Sequence, residues 1–309
     1  MKKTLALAAA LAMLATAAIA APKYTVGLVQ LVEHPSLDEI RIAMLDELVR
    51  LGYGPETVEI DYQNGQNSPS LINTICQKFV SRNVDVIVPI ATPTAQCAAA
   101  ATDTIPIVFS AVSDPLVAGV VKNLDKPEAN VTGVSNAINP ADTLDLAEEL
   151  TPGLKHYGII FNTAESNSTN TTRKAEAEMT KRGLTYQEAV IASAAEVPAA
   201  INSLMGKVDA VFVPNDNTTA TAMPLLSQIA IENKVPVYAA VDSLVRDGAL
   251  GTRGISYTEL GQITAKMVTE ILNGAKVADT PVIVMRGSIV EINKDTAAAL
   301  GVDVSKYVK

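Results

Sequence analysis

From Tyr24 onward the chain repeats one pattern: a short run of Val, Ile and Leu, a polar loop, then a dozen or so residues with apolar positions at helical spacing. YTVGLVQL leads into a helix over about Ser36 to Leu51, VEIDYQN into one from Ser68 to Arg82, and VDVIVPI into one from Thr94 to Thr102, after which IPIVFSAV follows. The unbroken apolar character of VDVIVPI fits a strand buried on both faces. Strands alternating with helices predict a parallel sheet with helices on both sides. The pattern breaks at DKPEANVTGVSN and then restarts. KHYGIIFN, a helix from Thr169 to Arg182, TYQEAVI, a helix near Val197 to Gly206, VDAVFVPN, a helix from Thr221 to Asn233, and VPVYAAV form a second series of similar length.

Two successive α/β series predict an α/β protein of two lobes, each with a parallel sheet, joined by a three-strand hinge. VDVIVPIATPT resembles VDAVFVPNDNTT, as IPIVFSAVSDP resembles VPVYAAVDSL, which suggests a pseudo-repeat. Crossings are expected near 131 to 137, 254 to 260 and 282 to 292. The first lobe is then 21–133 plus 258–285, and the second 134–257 plus 286–309. Residues 1–20 read differently: Lys2 and Lys3 precede an apolar run that closes on Ala18-Ile19-Ala20, the form of a secretory signal peptide cleaved after Ala20. That run is shorter than a spanning helix needs and no later one is longer, so a soluble protein exported to the periplasm is expected. The segment contains no cysteine to carry a lipid anchor.

The formal charge of −9 grows more negative once Lys2 and Lys3 are removed, which argues against a nucleic-acid partner, whose binding rests on phosphate neutralisation. Aromatic residues are 4% of the chain and Trp is absent, leaving little material for a sugar site built on stacking. Cys76 and Cys97, both in predicted helices of one lobe, are free to pair in an oxidising compartment; spacing leaves a disulfide and two thiols equally open. With two histidines, His34 and His156, no zinc-ligand spacing is present, and neither metal nor cofactor is expected.

In open parallel sheets ligands collect beyond the carboxyl ends of the strands. The loops there are polar: VEHPSLDE, ATPTAQ, SAVSDP, FNTAESNSTN, VPNDNTT and AAVDSL. Their Ser, Thr, Asn and Asp residues are also ordinary helix N-caps, so any one of them has a structural explanation. Several helix N-termini meeting at one cleft would nevertheless suit a carboxylate, and Asp216 and Asp242, immediately after second-lobe strands, would suit an ammonium. Together these point to an amino acid zwitterion. No nucleophile elbow, phosphate loop, dinucleotide turn or zinc helix is present in the sequence, and His34 has no identifiable nucleophile or orienting carboxylate beside it, so it reads as a loop residue that touches ligand or caps structure.

VGLVQLVEHPSLDEIRIAMLDEL, together with ATPTAQ, IPIVFSAVSDPLVAGVV, FNTAESNS, VPNDNTTATAM and DGALGTRGISYTELG, resembles the ABC-transporter substrate-binding proteins of the tryptophan/tyrosine-type family over nearly the whole mature chain. The resemblance implies a type I periplasmic-binding-protein fold of two Rossmann-like lobes, an aromatic amino acid ligand, ABC permease domains in the inner membrane as partner, no enzymatic activity, and a monomer. It places Gln30 and Glu33 near the entrance, with Thr92 and Thr94 at the ligand carboxylate and Ser110 beside them. From the second lobe it draws Asn162, Ser166, Asn167, Asp216 and Asn217, with Asp242 as the ammonium partner. Many relatives carry a lipid-anchoring Cys that this chain lacks. Three other readings stay open: a sugar or autoinducer receptor on the same fold, a periplasmic enzyme, and a sensor domain feeding a membrane receptor.

Overall fold

The computed structural model describes residues 22–287 and 289–307; the expected export segment lies outside them. Two six-stranded sheets organise the chain. The first contains β1 (Tyr24–Gln30), β2 (Val58–Asn64), β3 (Val86–Ile90), β4 (Ile107–Ser110), β5 (Val131–Ala137) and β11 (Ile283–Arg286), in the order β11-β5-β4-β3-β1-β2 and parallel throughout. The second contains β6 (His156–Asn162), β7 (Thr185–Ile191), β8 (Ala210–Val213), β9 (Val237–Ala239), β10 (Gly251–Gly254) and β12 (Ile289–Ile292), in the order β12-β10-β9-β8-β6-β7, with β12 alone antiparallel. The shared ordering is the structural form of the repeat read in the sequence.

Every residue of β3, β4, β8 and β9 is buried, as strands covered by helices on both faces must be. The covering helices of the first sheet are α1 (Pro35–Arg50), α2 (Pro69–Arg82), α3 (Thr92–Ala101) and α10 (Tyr257–Leu272). Around the second lie α4 (Pro140–Leu150), α5 (Ser166–Lys181), α6 (Val197–Leu204), α7 (Asn217–Thr221), α8 (Met223–Glu232), α9 (Asp242–Arg246) and α11 (Lys294–Leu300). Proline in the first turn, where no backbone N–H is needed, starts α1, α2 and α4, and Ser68, Asn139, Ser256 and Asn293 cap their helices through side-chain oxygens.

The chain passes between the sheets after β5, after β10 and between β11 and β12. The expected cut at 133/134 falls inside β5, which pairs with β4 and β11 over its whole length and so belongs to the first sheet through Ala137; Arg286 likewise stays with that sheet. Two local expectations also change. The helix read over Thr94–Thr102 begins at Thr92, because Pro93 is tolerated in a first turn. The single helix read over Thr221–Asn233 is broken at Ala222, just ahead of Pro224. Cys76 and Cys97 lie against each other with their thiols in contact: the hydrogen bond from Cys76 pulls the Cys97 thiol down, while the same contact and burial push Cys76 up.

Candidate functional site

The carboxyl ends of the two sheets face each other, and the loops leaving them enclose a narrow cavity, with about 20 Å³ open to the centres of water molecules and about 350 Å³ of empty space when its open mouth is counted. The first lobe contributes His34, Ser36 and Leu37 after β1, Ala91 and Thr92 after β3, and Ala111 after β4. The crossing segments add Asn136 and Tyr257. From the second lobe come Asn167, then Asn215, Asp216, Asn217 and Ala220 after β8, and Val241 and Leu244 after β9.

The lobes touch directly around this cavity. Asn217 Oδ1 lies 3.3 Å from His34 Nε2, Ser243 donates to Ser36 at 2.5 Å, and Asn215 Nδ2 donates to Ser113 at 2.5 Å. On the outside Arg246 pairs with Glu39, and Lys174 with Asp114 at 3.3 Å. These contacts join segments that only a closed cleft brings together.

Two features mark the lining as more than a packed interface. Ala91 has φ +85° and Ala111 has φ +58°, backbone conformations that cost a residue with a Cβ on the order of 1–3 kcal/mol, and both sit at strand ends against the cavity. Four polar atoms of the lining are buried without any partner in the protein: His34 Nδ1, Thr92 Oγ1, Asn167 Oδ1 and Asn215 Oδ1. Leaving each such group unpaired costs about 1–3 kcal/mol, so these four lining atoms are open to hydrogen-bond partners from within the cavity.

Among the described residues no Lys or Arg lines the cavity, and Asp216 is the one acidic side chain there. Asp216 caps α7, accepting from Thr219 N and from Asn162 N, each at 2.6 Å, which leaves lone pairs for a cation. Thr92 stands in the first turn of α3, where backbone N–H groups and the positive helix end favour a carboxylate. Burial holds His34 neutral, with its pKa lowered to about 4.

Of the residues named from sequence, Thr92, Asn167, Asp216 and Asn217 line the cavity. The others do not, because their polar groups are committed or placed elsewhere. Gln30 donates to Val32 O and Asp38 and accepts from Arg41. Glu33 is exposed and accepts from Tyr62. Thr94 bonds back to Ile90 O at 2.6 Å and Ala91 O at 2.7 Å, and Ser110 pairs with Thr264 at 2.9 Å. Asn162 donates its amide N–H to Thr218 Oγ1 and accepts from Ala164 N at its oxygen, while Ser166, half-buried at the start of α5, is outside the lining with its hydroxyl buried and unpartnered. Asp242 accepts from Ser243 N and Arg246 and is outside the lining, and burial and then Glu39 push its pKa up; Asp216, by contrast, lines the cavity. Sequence reasoning missed Asn136 and Tyr257, which lie in crossing segments, and Asn215, adjacent to Asp216 in VPNDN. It also missed the apolar lining of Leu37, Val241 and Leu244.

With this geometry established, the comparisons define the class. The family model of the ABC transporter substrate binding proteins matches residues 25–309, and the chain belongs to that family. It is 40% identical over 290 residues to a tyrosine-binding protein of Clostridioides difficile, covering 92% of this chain and 84% of that protein. A solved ABC domain in complex with L-Trp, from Streptococcus pneumonia, superposes with a TM-score of 0.88 at 36% identity, covering 91% of this chain and 96% of that one. The ligand-free, open structure of a substrate-binding protein with adhesive properties from Clostridium difficile is 41% identical over 91% of this chain and 95% of its own, yet its TM-score is 0.69. Both sheets thus form the two-lobed α/β fold of periplasmic binding proteins.

Proposed function

We propose that this chain is the periplasmic receptor of an ABC importer and that it closes on one aromatic amino acid. The observation that carries the ligand class is the set of four unpartnered buried polar atoms beside a single carboxylate, in a cavity without lysine or arginine. In this reading the α-carboxylate meets Thr92 and the N-terminal turn of α3, and the ammonium meets Asp216. The side chain lies toward Leu37, Val241 and Leu244, apolar groups contributed by both lobes. Closure then works as a population shift: ligand contacts both faces only in the closed form, and the permease domains read that form. The tyrosine-binding relative and the complex with L-Trp favour an aromatic solute over the sugars that share the fold. The export reading of residues 1–20 supports the periplasm, and among the described residues no helix is long and apolar enough to cross a membrane.

The test is a thermal-shift screen of the refolded, ligand-stripped mature protein against the twenty amino acids, common sugars and nucleosides. A ligand bound only by the folded form stabilises it by about 2.7 kcal/mol at a hundredfold excess over Kd. Responses to Trp, Tyr or Phe are expected. Silence from all amino acids with a response to a sugar would overturn the ligand class, and turnover of any substrate would overturn the receptor reading.

A further inference from the structure

His34 is 5% exposed and neutral at ordinary pH, so its ring carries one N–H and one bare nitrogen. The surroundings decide which is which. Glu165, also buried, accepts five hydrogen bonds: from Asn217 N at 3.1 Å, Asn217 Nδ2 at 2.5 Å, Thr218 N at 3.0 Å, the Thr218 hydroxyl at 2.8 Å and Asn167 Nδ2 at 3.3 Å. Burial and then Asp216 raise the Glu165 pKa on balance against the pull of these donors; the backbone N–H groups of Asn217 and Thr218 are fixed donors, and the NH₂ of Asn217 is oriented toward Glu165 with them. With its NH₂ turned toward Glu165, Asn217 presents its oxygen to His34. That oxygen, 3.3 Å from Nε2, only accepts. Nε2 therefore bears the hydrogen, and Nδ1 is a bare acceptor, buried without a partner on the cavity wall.

We propose that His34 Nδ1 accepts a hydrogen bond from the ring donor of the ligand, the indole N–H of tryptophan or the phenol O–H of tyrosine, and that Glu165, acting through Asn217, is the positioning residue that fixes the tautomer. The inference rests on the aromatic amino acid reading above. A ring donor fits better than the ammonium for two reasons. A neutral imidazole is a weak counter-ion beside an acidic side chain such as Asp216, and His34 stands just ahead of apolar Leu37, which also lines the cavity. The consequence is selectivity. A phenylalanine ring would bury Nδ1 with nothing to accept, so the site rejects the analogue that lacks a donor, by about tenfold or more.

The experiment combines two readouts on the ligand-stripped mature chain. Nitrogen-15 NMR of labelled imidazoles in the free protein should show His34 with hydrogen on Nε2, and tryptophan or tyrosine should shift the Nδ1 resonance. Calorimetry should show tyrosine binding at least tenfold more tightly than phenylalanine, tryptophan at least tenfold more tightly than 1-methyltryptophan, or both, which also separates the phenol from the indole as donor. In His34→Phe these ratios should collapse toward one. In Glu165→Leu the acceptor that orients the Asn217 amide is gone, so the imidazole hydrogen should no longer be held on Nε2 and the ratios should fall. Hydrogen on Nδ1 in the wild type, or ratios that survive His34→Phe, would overturn the assignment, as would ratios near one for both pairs in the wild type. Failure of the wild type to bind any aromatic amino acid would instead overturn the ligand reading, and the assigned donor with it.

Discussion

Thr92 and Thr94 sit two residues apart in one helical turn and should respond in opposite ways to the same substitution. Thr92 Oγ1 is buried and unpartnered in the closed cleft, whereas Thr94 Oγ1 donates to the carbonyls of Ile90 and Ala91. If Thr92 donates to the ligand carboxylate, Thr92→Val removes a hydrogen bond to a charged group, worth about 1.5–3 kcal/mol. At about 1.4 kcal/mol per decade that is a roughly ten- to hundredfold rise in Kd. The ligand-free protein should lose nothing, since its cleft can open and the lost hydroxyl then only forgoes water. Thr94→Val should show the reverse: about 1 kcal/mol less stability, from the lost bonds that anchor the strained turn at Ala91, with Kd nearly unchanged. Calorimetric Kd values and denaturant midpoints of the two variants supply all four numbers. A Thr92→Val variant within twofold of wild-type affinity would refute the placement of the carboxylate.

Other outcomes follow from single contacts. Arg246→Ala removes an ion pair to Glu39 that bridges the lobes; because Arg246 is 45% exposed, the loss is about 0.2–1 kcal/mol, at most a fivefold weaker Kd. That difference should fade in 1 M salt, and a salt-independent one would contradict the electrostatic origin. In the closed form burial lowers the His34 pKa from 6.5 to about 4, so between those values an open form takes up a proton that the closed form refuses. Affinity should therefore fall as pH drops through that window, by up to about 3 kcal/mol, and His34→Gln should flatten the fall; an equally steep variant would show that other groups cause it. Gly261→Ala drives a methyl against the Ile40 carbonyl oxygen and to 3.0 Å from Ala43 Cβ where α10 crosses α1. Backbone cannot yield there, so overpacking of about 1–3 kcal/mol should outweigh the helix-propensity gain of about 1, and an unchanged midpoint in urea would refute the close approach.

The two α/β series were legible because fully buried strands such as β3 and β8 read as unbroken apolar runs. Strand β10 was not, since Gly251-Thr252-Arg253-Gly254 has neither alternation nor apolar content; it is held by pairing with β12, a contact between distant segments. The candidate site was legible only by position. Loops after strands were the right place, but a Thr that caps or back-bonds and a Thr that faces a ligand are the same letter, as Thr94 and Thr92 demonstrate. Asp242 and Asp216 were likewise indistinguishable until the structure placed Arg246 beside one and the cavity beside the other. Asn136 and Tyr257 meet through a hydrogen bond of 2.9 Å across 121 positions of chain, a pairing that no local pattern encodes.

The central claim, closure of the two lobes on an aromatic amino acid, is tested most directly by small-angle X-ray scattering of the ligand-stripped protein during titration with L-tryptophan or L-tyrosine. The radius of gyration should shrink, saturating at one ligand per chain, toward the value calculated from the closed lobes described here. An unchanged radius at saturating amino acid, or an equal contraction with a sugar, would contradict the account.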